Sequence, residues 1–142
     1  MKLITLFCLT LLLSPELRAA ALLDYEVLET RPHNPDLFTQ GLVKTADGFY
    51  ESSGLTGRSK LLRYNTLEPQ SRIERKIPRR YFAEGLTLFN DRLYLLTWNA
   101  GKCFVYDPQT LRKLATLRYP GSGWGLTHNG QHLIMSDGSN RL

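Results

Sequence analysis

Tyr81-Phe82-Ala83-Glu84-Gly85-Leu86-Thr87-Leu88-Phe89-Asn90-Asp91-Arg92-Leu93-Tyr94-Leu95-Leu96-Thr97-Trp98 is the stretch whose reading decides the fold. Two short apolar runs flank Asn90-Asp91, a turn signal between strands. The glycine-leucine pair near its start recurs. Gly41-Leu42, Gly85-Leu86 and Gly125-Leu126 stand 44 and 40 residues apart. Nine residues after each glycine comes Tyr50, Tyr94 or Ile134, with Asp47-Gly48, Asn90-Asp91 or Asn129-Gly130 as the turn between them.

Later in the first two units come Leu61-Leu62-Arg63-Tyr64-Asn65 and Phe104-Val105-Tyr106-Asp107. Thr66-Leu67-Glu68-Pro69 and Pro108-Gln109-Thr110-Leu111 mark the next turns. Leu114 to Tyr119 closes the second unit as a further strand, and Ile73 to Ile77 is its weaker counterpart. Helical periodicity is absent over any long window, and glycine or proline recurs every ten or so residues. Four short strands repeating every ~40–50 residues are the signature of a β-propeller blade. A plain sandwich with coincidental glycine-leucine pairs is the alternative, and agreement of glycine, turn and ninth residue across three units tells against it.

Working outward, Met1-Lys2, the apolar run Leu3–Leu13, Ser14-Pro15 and Ala19-Ala20-Ala21 read as a secretory signal peptide over residues 1–21. The apolar run is too short to span a bilayer, so no stable membrane anchor is expected. A secreted or periplasmic location follows. Cleavage after Ala21 leaves 121 of 142 residues, a length that ordinarily suits one complete domain. Propellers usually close with ~4–8 blades. Residues 22–142 hold two complete units and the first two strands of a third, so a partial propeller ending mid-blade is expected. Open blade edges then make self-association a further expectation.

Composition narrows the classes. Hydrophobic content of 42% with 22% charged residues is ordinary for a globular protein. Two cations and one carboxylate leave with the leader, taking the net charge from +5 to +4. The densest basic run, Arg72 to Arg80, reads as a solvated strand edge or loop, and no nucleic-acid partner is expected. Cys8 lies in the leader; Cys103, alternating with aromatic residues, reads as a buried strand position without an internal disulfide partner. His33, His128 and His132 form no ligand cluster, and neither a nucleophile elbow nor a phosphate loop is present.

In a propeller the innermost strand of each blade lines the central channel, so equivalent positions at its start converge on one mouth. The residues just before the three glycines are Gln40, Glu84 and Trp124; two positions further back stand Phe38, Phe82 and Ser122. Trp98 ends the second strand of its blade, where a loop brings it over the same mouth. The result is an aromatic-walled cup with few, varied polar groups, suited to a small molecule or a peptide terminus. Each aromatic residue also has a plain reading as inter-blade packing, and Gln40 as a partner for a neighbouring blade's backbone. Glu84 is the hardest to dismiss. A carboxylate among aromatic rings is costly to desolvate without a task, and such surroundings raise its pKa toward that of a proton-transfer group.

Phe38-Thr39-Gln40-Gly41-Leu42, Tyr50-Glu51-Ser52-Ser53-Gly54-Leu55, Tyr81-Phe82-Ala83-Glu84-Gly85-Leu86-Thr87, Leu96-Thr97-Trp98, Tyr106-Asp107 and Gly123-Trp124-Gly125-Leu126-Thr127, in this order, resemble the glutaminyl-peptide cyclotransferases of plant and bacterial type. Pro32-His33-Asn34-Pro35 is similar to that family's entry segment. The resemblance implies a secreted, all-β, five-bladed propeller of which this chain covers about the first two and a half blades. It also implies cyclisation of N-terminal glutamine to pyroglutamate with release of ammonia, an acyltransfer using no metal and no cofactor. Glu84 would be the acid/base, with Phe38, Gln40, Phe82, Trp98 and Trp124 forming the pocket for peptides with N-terminal glutamine. Ala83 stands where the family usually has glycine, and an asparagine, a tryptophan and a lysine of the family's later blades lie beyond this chain. The alternative is a non-catalytic propeller fragment that at most binds peptides or associates with itself. A metal-dependent lactonase-like propeller is disfavoured, because the inner-strand positions offer one carboxylate where a metal cage needs several oxygen ligands.

Overall fold

The hairpin turns set the architecture. Asn90 and Asp91 both take left-handed conformations (φ 46° and 54°), as a two-residue hairpin turn matching strand twist requires. At the next sequence turn, the Asp107 carboxylate accepts the Gln109 and Thr110 amides at 3.1 and 2.8 Å, and the segment closes on fully buried Leu111. Asn129 caps the third hairpin by accepting the Gln131 and His132 amides. The expected turn at Thr66–Pro69 lies outside the described residues.

A computed structural model describes residues 22–65 and 72–142, and the expected signal peptide also lies outside them. Residues 22–32 form a separate unit without helix or strand, in which the Arg31 guanidinium holds the Glu29 carboxylate at 2.6 Å. In the unit from His33 to Leu142, the strands are β1 (Thr39–Lys44), β2 (Gly48–Ser53), β3 (Lys60–Asn65), β4 (Arg72–Lys76), β5 (Ala83–Phe89), β6 (Arg92–Thr97), β7 (Lys102–Tyr106), β8 (Lys113–Arg118), β9 (Leu126–His128) and β10 (Leu133–Met135). They build two four-stranded antiparallel meanders, β1-β2-β3-β4 and β5-β6-β7-β8, and a two-stranded β9-β10 hairpin. This is the all-β propeller pattern of two blades and the start of a third. The repeat holds in the register: Val43 faces Tyr50, Thr87 faces Tyr94 and Thr127 faces Ile134. No helix among the described residues is long and apolar enough to cross a membrane.

The core fills the space between the two complete blades. Leu61 and Tyr50 of the first sheet meet Leu86, Leu93, Leu95 and Phe104 of the second, each at most 5% exposed. Polar clamps close the outer side: Arg63 donates to the Gln109 carbonyl, and Arg75 to those of Thr110 and Leu111, at 3.2–3.3 Å. The outermost strand β8 is exposed along its whole length, as a blade edge is. Cys103 is buried in β7 as expected, and burial pushes its thiol up to about 12, where it is inert.

The recurrent glycines have a steric cause. A β-carbon on Gly41 would lie 2.6 Å from the Leu86 nitrogen, and one on Gly85 would lie 2.4 Å from the Trp124 carbonyl oxygen. Neighbouring inner strands therefore approach backbone to backbone at the repeat positions. The Gly85 N–H uses that approach to donate to the Trp124 carbonyl at 2.7 Å.

One buried group was not foreseen. Glu51, in the middle of β2, is wholly buried and accepts from Thr39 Oγ1 at 2.6 Å, Tyr64 Oη at 2.9 Å and His33 Nε2 at 3.1 Å. An acceptor-only carboxylate selects the Nε2–H tautomer of His33. Removing the carboxylate leaves three donors without their partner. Glu51→Ala is therefore expected to lower stability by about 3–5 kcal/mol in urea unfolding. Leu117→Ser on the exposed β8 should stay within about 0.5 kcal/mol of the parent.

Candidate active site

Equivalent irregularities shape the start of both inner strands. In β1 the pairing steps from Thr39–Ser53 to Gly41–Ser52, leaving Gln40 as the extra residue. In β5 it steps from Ala83–Thr97 to Leu86–Leu95, so Glu84 and Gly85 together oppose Leu96. Such β-bulges bend the strand and re-aim a side chain, and they concentrate beside active sites. Here they bring together side chains 44 residues apart: Gln40 Nε2 donates to Glu84 Oε1 at 3.2 Å. Gln40, expected in the pocket or, on the plainer reading, bonded to a neighbouring blade's backbone, bonds that blade's Glu84 side chain.

The backbone under this pair is pinned. Ser52 Oγ, fully buried, donates to the Glu84 carbonyl at 2.6 Å. Ser53 Oγ accepts the Phe38 amide at 2.9 Å, and the Phe38 carbonyl accepts the Gly54 amide at 2.8 Å. Thr39, between Phe38 and Gln40, is the residue held by Glu51. Glu51, Ser52 and Ser53 thus brace the mouth, a role missed in sequence. The available signal was a run of polar residues (Glu51-Ser52-Ser53) in the centre strand of a blade.

Three of the expected aromatic residues form a row. Phe38 and Phe82 meet edge to face with ring centres 6.3 Å apart, and Phe82 meets Trp98 at 5.7 Å. Trp98 is tied in by its own amide, which donates to the Phe82 carbonyl at 3.0 Å. Gly54 lies under Phe82, where a β-carbon would sit 2.5 Å from the ring. Trp124 is joined to the group through its backbone, and its indole packs over Gly138; among the described residues no ring pair links it to the row. Phe38, Trp98 and Trp124 remain 43–49% exposed, so the rings form an accessible wall rather than a closed core. Ser122, the third-unit counterpart of Phe38 and Phe82, bonds instead to Asn99 Oδ1.

Glu84 is half-buried, and that burial raises its carboxyl pKa from the usual carboxylate range to about 7. It is the only carboxylate among the described residues that burial moves into the neutral range. Here a proton is exchanged with little free-energy cost in either direction, as an acid/base group needs. No group of three or more His, Cys, Asp or Glu side chains placed to hold a metal ion occurs among the described residues.

Fold and mouth together define a propeller-type chain with an aromatic, carboxylate-bearing site on its inner strands. Comparison with known proteins gives the family. Residues 2–142 match the family model described as glutamine cyclotransferase. Over 121 residues the chain is 37% identical to a glutaminyl-peptide cyclotransferase of Arabidopsis thaliana, the match covering 84% of this chain and 38% of that protein. The crystal structure of Myxococcus xanthus glutaminyl cyclase superposes with a TM-score of 0.62 at 35% identity, over 75% of this chain and 45% of that one. The chain belongs to the glutamine cyclotransferase family, and it spans less than half the length of these relatives.

The raised carboxyl predicts a pH dependence with a defined sign. A group whose folded pKa lies above its unfolded value of 4.5 makes the native state bind the extra proton. Its penalty is therefore absent below about pH 4.5, grows as pH rises, and is complete above about 7. Glu84→Gln should melt at a higher temperature than the parent at pH 8, and the gap should close toward pH 4.5. A gap that widens on acidification contradicts the assigned environment.

Proposed function

We propose that this chain carries the acid/base and much of the substrate wall of a glutaminyl-peptide cyclotransferase. The observation that carries the reading is Glu84: a carboxylate with its pKa raised to about 7, aimed by a bulge and facing Gln40 beside a row of aromatic rings. Family membership supports the same reaction.

The substrate is a peptide with N-terminal glutamine. Its α-amine nitrogen attacks the carbon of its own side-chain amide, the new C–N bond closes a five-membered lactam, and the C–NH2 bond breaks to release ammonia. Nucleophile and electrophile belong to one residue, so the barrier is largely conformational. Phe38, Phe82 and Trp98 supply a surface against which the methylenes fold back, and Trp124 extends the wall. The Glu84 carboxylate takes the proton that the attacking amine loses and delivers it to the departing nitrogen. Gln40 keeps that carboxylate oriented through its 3.2 Å hydrogen bond. Ala83 places one methyl where the family has glycine; it is fully buried in the blade and leaves the bulge intact. The Lys2-led apolar leader supports export, so that the substrates are secreted or periplasmic peptides.

Mass spectrometry of a glutamine-initiated peptide incubated with the chain tests the reading by the loss of one ammonia. The parent rate should rise through about pH 7 as the Glu84 carboxylate forms. Glu84→Gln should lower it by about 10²-fold or more at unchanged fold. Cyclisation by Glu84→Gln at the parental rate, or none by the folded parent, sinks the proposal.

A further inference from the structure

Tyr119 follows β8 and has no part in the chemistry above, yet it sits beneath the backbone that carries both indoles. The β6–β7 ladder ends at the pair Leu96–Cys103. Just past it, the Thr97 side chain serves Lys102: Oγ1 donates to the Lys102 carbonyl at 2.9 Å and accepts its amide at 3.2 Å. On the other side, the Trp98 amide bonds the Phe82 carbonyl, so the Thr97 backbone groups point away from β5. Thr97 is wholly buried, and its N–H and C=O must find partners elsewhere. The Tyr119 hydroxyl supplies both. It accepts the Thr97 amide at 3.2 Å and donates to the Thr97 carbonyl.

The same phenol meets the second indole's segment. A β-carbon on Gly123 would lie 2.3 Å from the Tyr119 hydroxyl oxygen and 2.7 Å from its ring carbon Cζ. Glycine at 123 is what allows the ring to slide under the chain there. The Gly123 amide then donates to the Trp98 carbonyl at 2.9 Å, and the Tyr119 amide to the Gly101 carbonyl at 3.1 Å. One side chain therefore touches the residue before Trp98 and the residue before Trp124. Burial raises the phenol pKa above its ordinary value, so the hydroxyl keeps its proton at neutral pH.

We propose that Tyr119 is a positioning residue for the mouth, its hydroxyl fixing the two backbone segments that carry Trp98 and Trp124. Trp98 belongs to the ring row, and the Trp124 segment is joined to it through the backbone. Only the consequence for turnover rests on the cyclotransferase reading; the placement of the indoles stands on the geometry alone.

Trp98 and Trp124 are the only two tryptophans of the chain, so emission excited on the red edge, where tyrosine does not absorb, reports on the two segments that Tyr119 joins. Tyr119→Phe keeps the ring and removes the oxygen. Its tryptophan emission should shift to the red, and its acrylamide quenching should rise about twofold as the indoles loosen. With a glutamine-initiated peptide, KM should rise about five- to tenfold while kcat falls less than about twofold, the pH limb of Glu84 staying in place. Asp107→Ala is the structural control: it removes the carboxylate that caps the outer turn after β7, and should lower the melting temperature without changing emission.

A folded Tyr119→Phe with parental emission and quenching overturns the proposal. If that variant does not fold, amide hydrogen exchange in the parent decides. Thr97 N–H protected like the ladder amides of β6 upholds the strut, and exchange at an open-loop rate overturns it. A parent and variants that all leave the peptide unchanged count against the cyclotransferase reading alone, because the fluorescence comparison needs no substrate.

Discussion

The site depends on the contact of backbone with backbone between neighbouring inner strands. Where Gly41 lies against Leu86, and Gly85 against Trp124 and Leu126, no β-carbon fits. Side chains normally hold adjacent sheets about 10 Å apart. Removing them at one position per blade lets the strands converge there, and the amide of Gly85 bonds directly to the next unit. That convergence brings Gln40 to 3.2 Å from Glu84 across 44 residues of chain. Each bulge sits beside its glycine for the same reason: a strand that bends toward its neighbour has a surplus residue, and that residue points into the mouth.

Two carboxylates show how the fold sets the same group in two different environments. Glu51 is fully buried and has three donors, each from a different part of its blade or its lead-in. Its acceptor capacity is spent on holding β1 and β3 together. Glu84 is only half-buried, yet among the described residues a single side-chain donor, the neutral amide of Gln40, reaches it. Desolvation without compensating donors is what raises its pKa to about 7. Burial with unused bonding capacity is what sets Glu84 apart from Glu51.

Much of this was legible because its causes are local. Asn90-Asp91 announces a hairpin since those residues tolerate the left-handed backbone that the turn imposes. The glycine and the residue nine positions later recur because each unit repeats one register, and Val43–Tyr50 and Thr87–Tyr94 are that register. What stayed hidden arises between strands. A bulge is a mismatch of two ladders, and neither Phe38-Thr39-Gln40-Gly41 nor its partner strand encodes it alone. Glu51 could not be singled out in sequence, because nothing in its neighbourhood shows that His33, Thr39 and Tyr64 converge on it. Position within the repeat placed Trp124 at the mouth, but its indole lies over Gly138, in a segment the repeat does not define.

The proportions of the site suit the proposed cyclisation, in which both reacting atoms would belong to one residue. Bringing two molecules together is no part of the task, so the walls need only exclude extended side-chain conformers. Edge-to-face rings such as Phe38–Phe82 and Phe82–Trp98 do this well, since each fixes the plane of the next. In that reaction a single proton would move from the attacking nitrogen to the departing one. A carboxyl with its pKa near 7 is suited to accept and return it without a second titrating partner. Few polar groups and many rigid apolar ones are thus the arrangement this chemistry calls for. On that reading the backbone struts under the indoles matter, because a wall that works by restricting rotamers is only as selective as it is stiff.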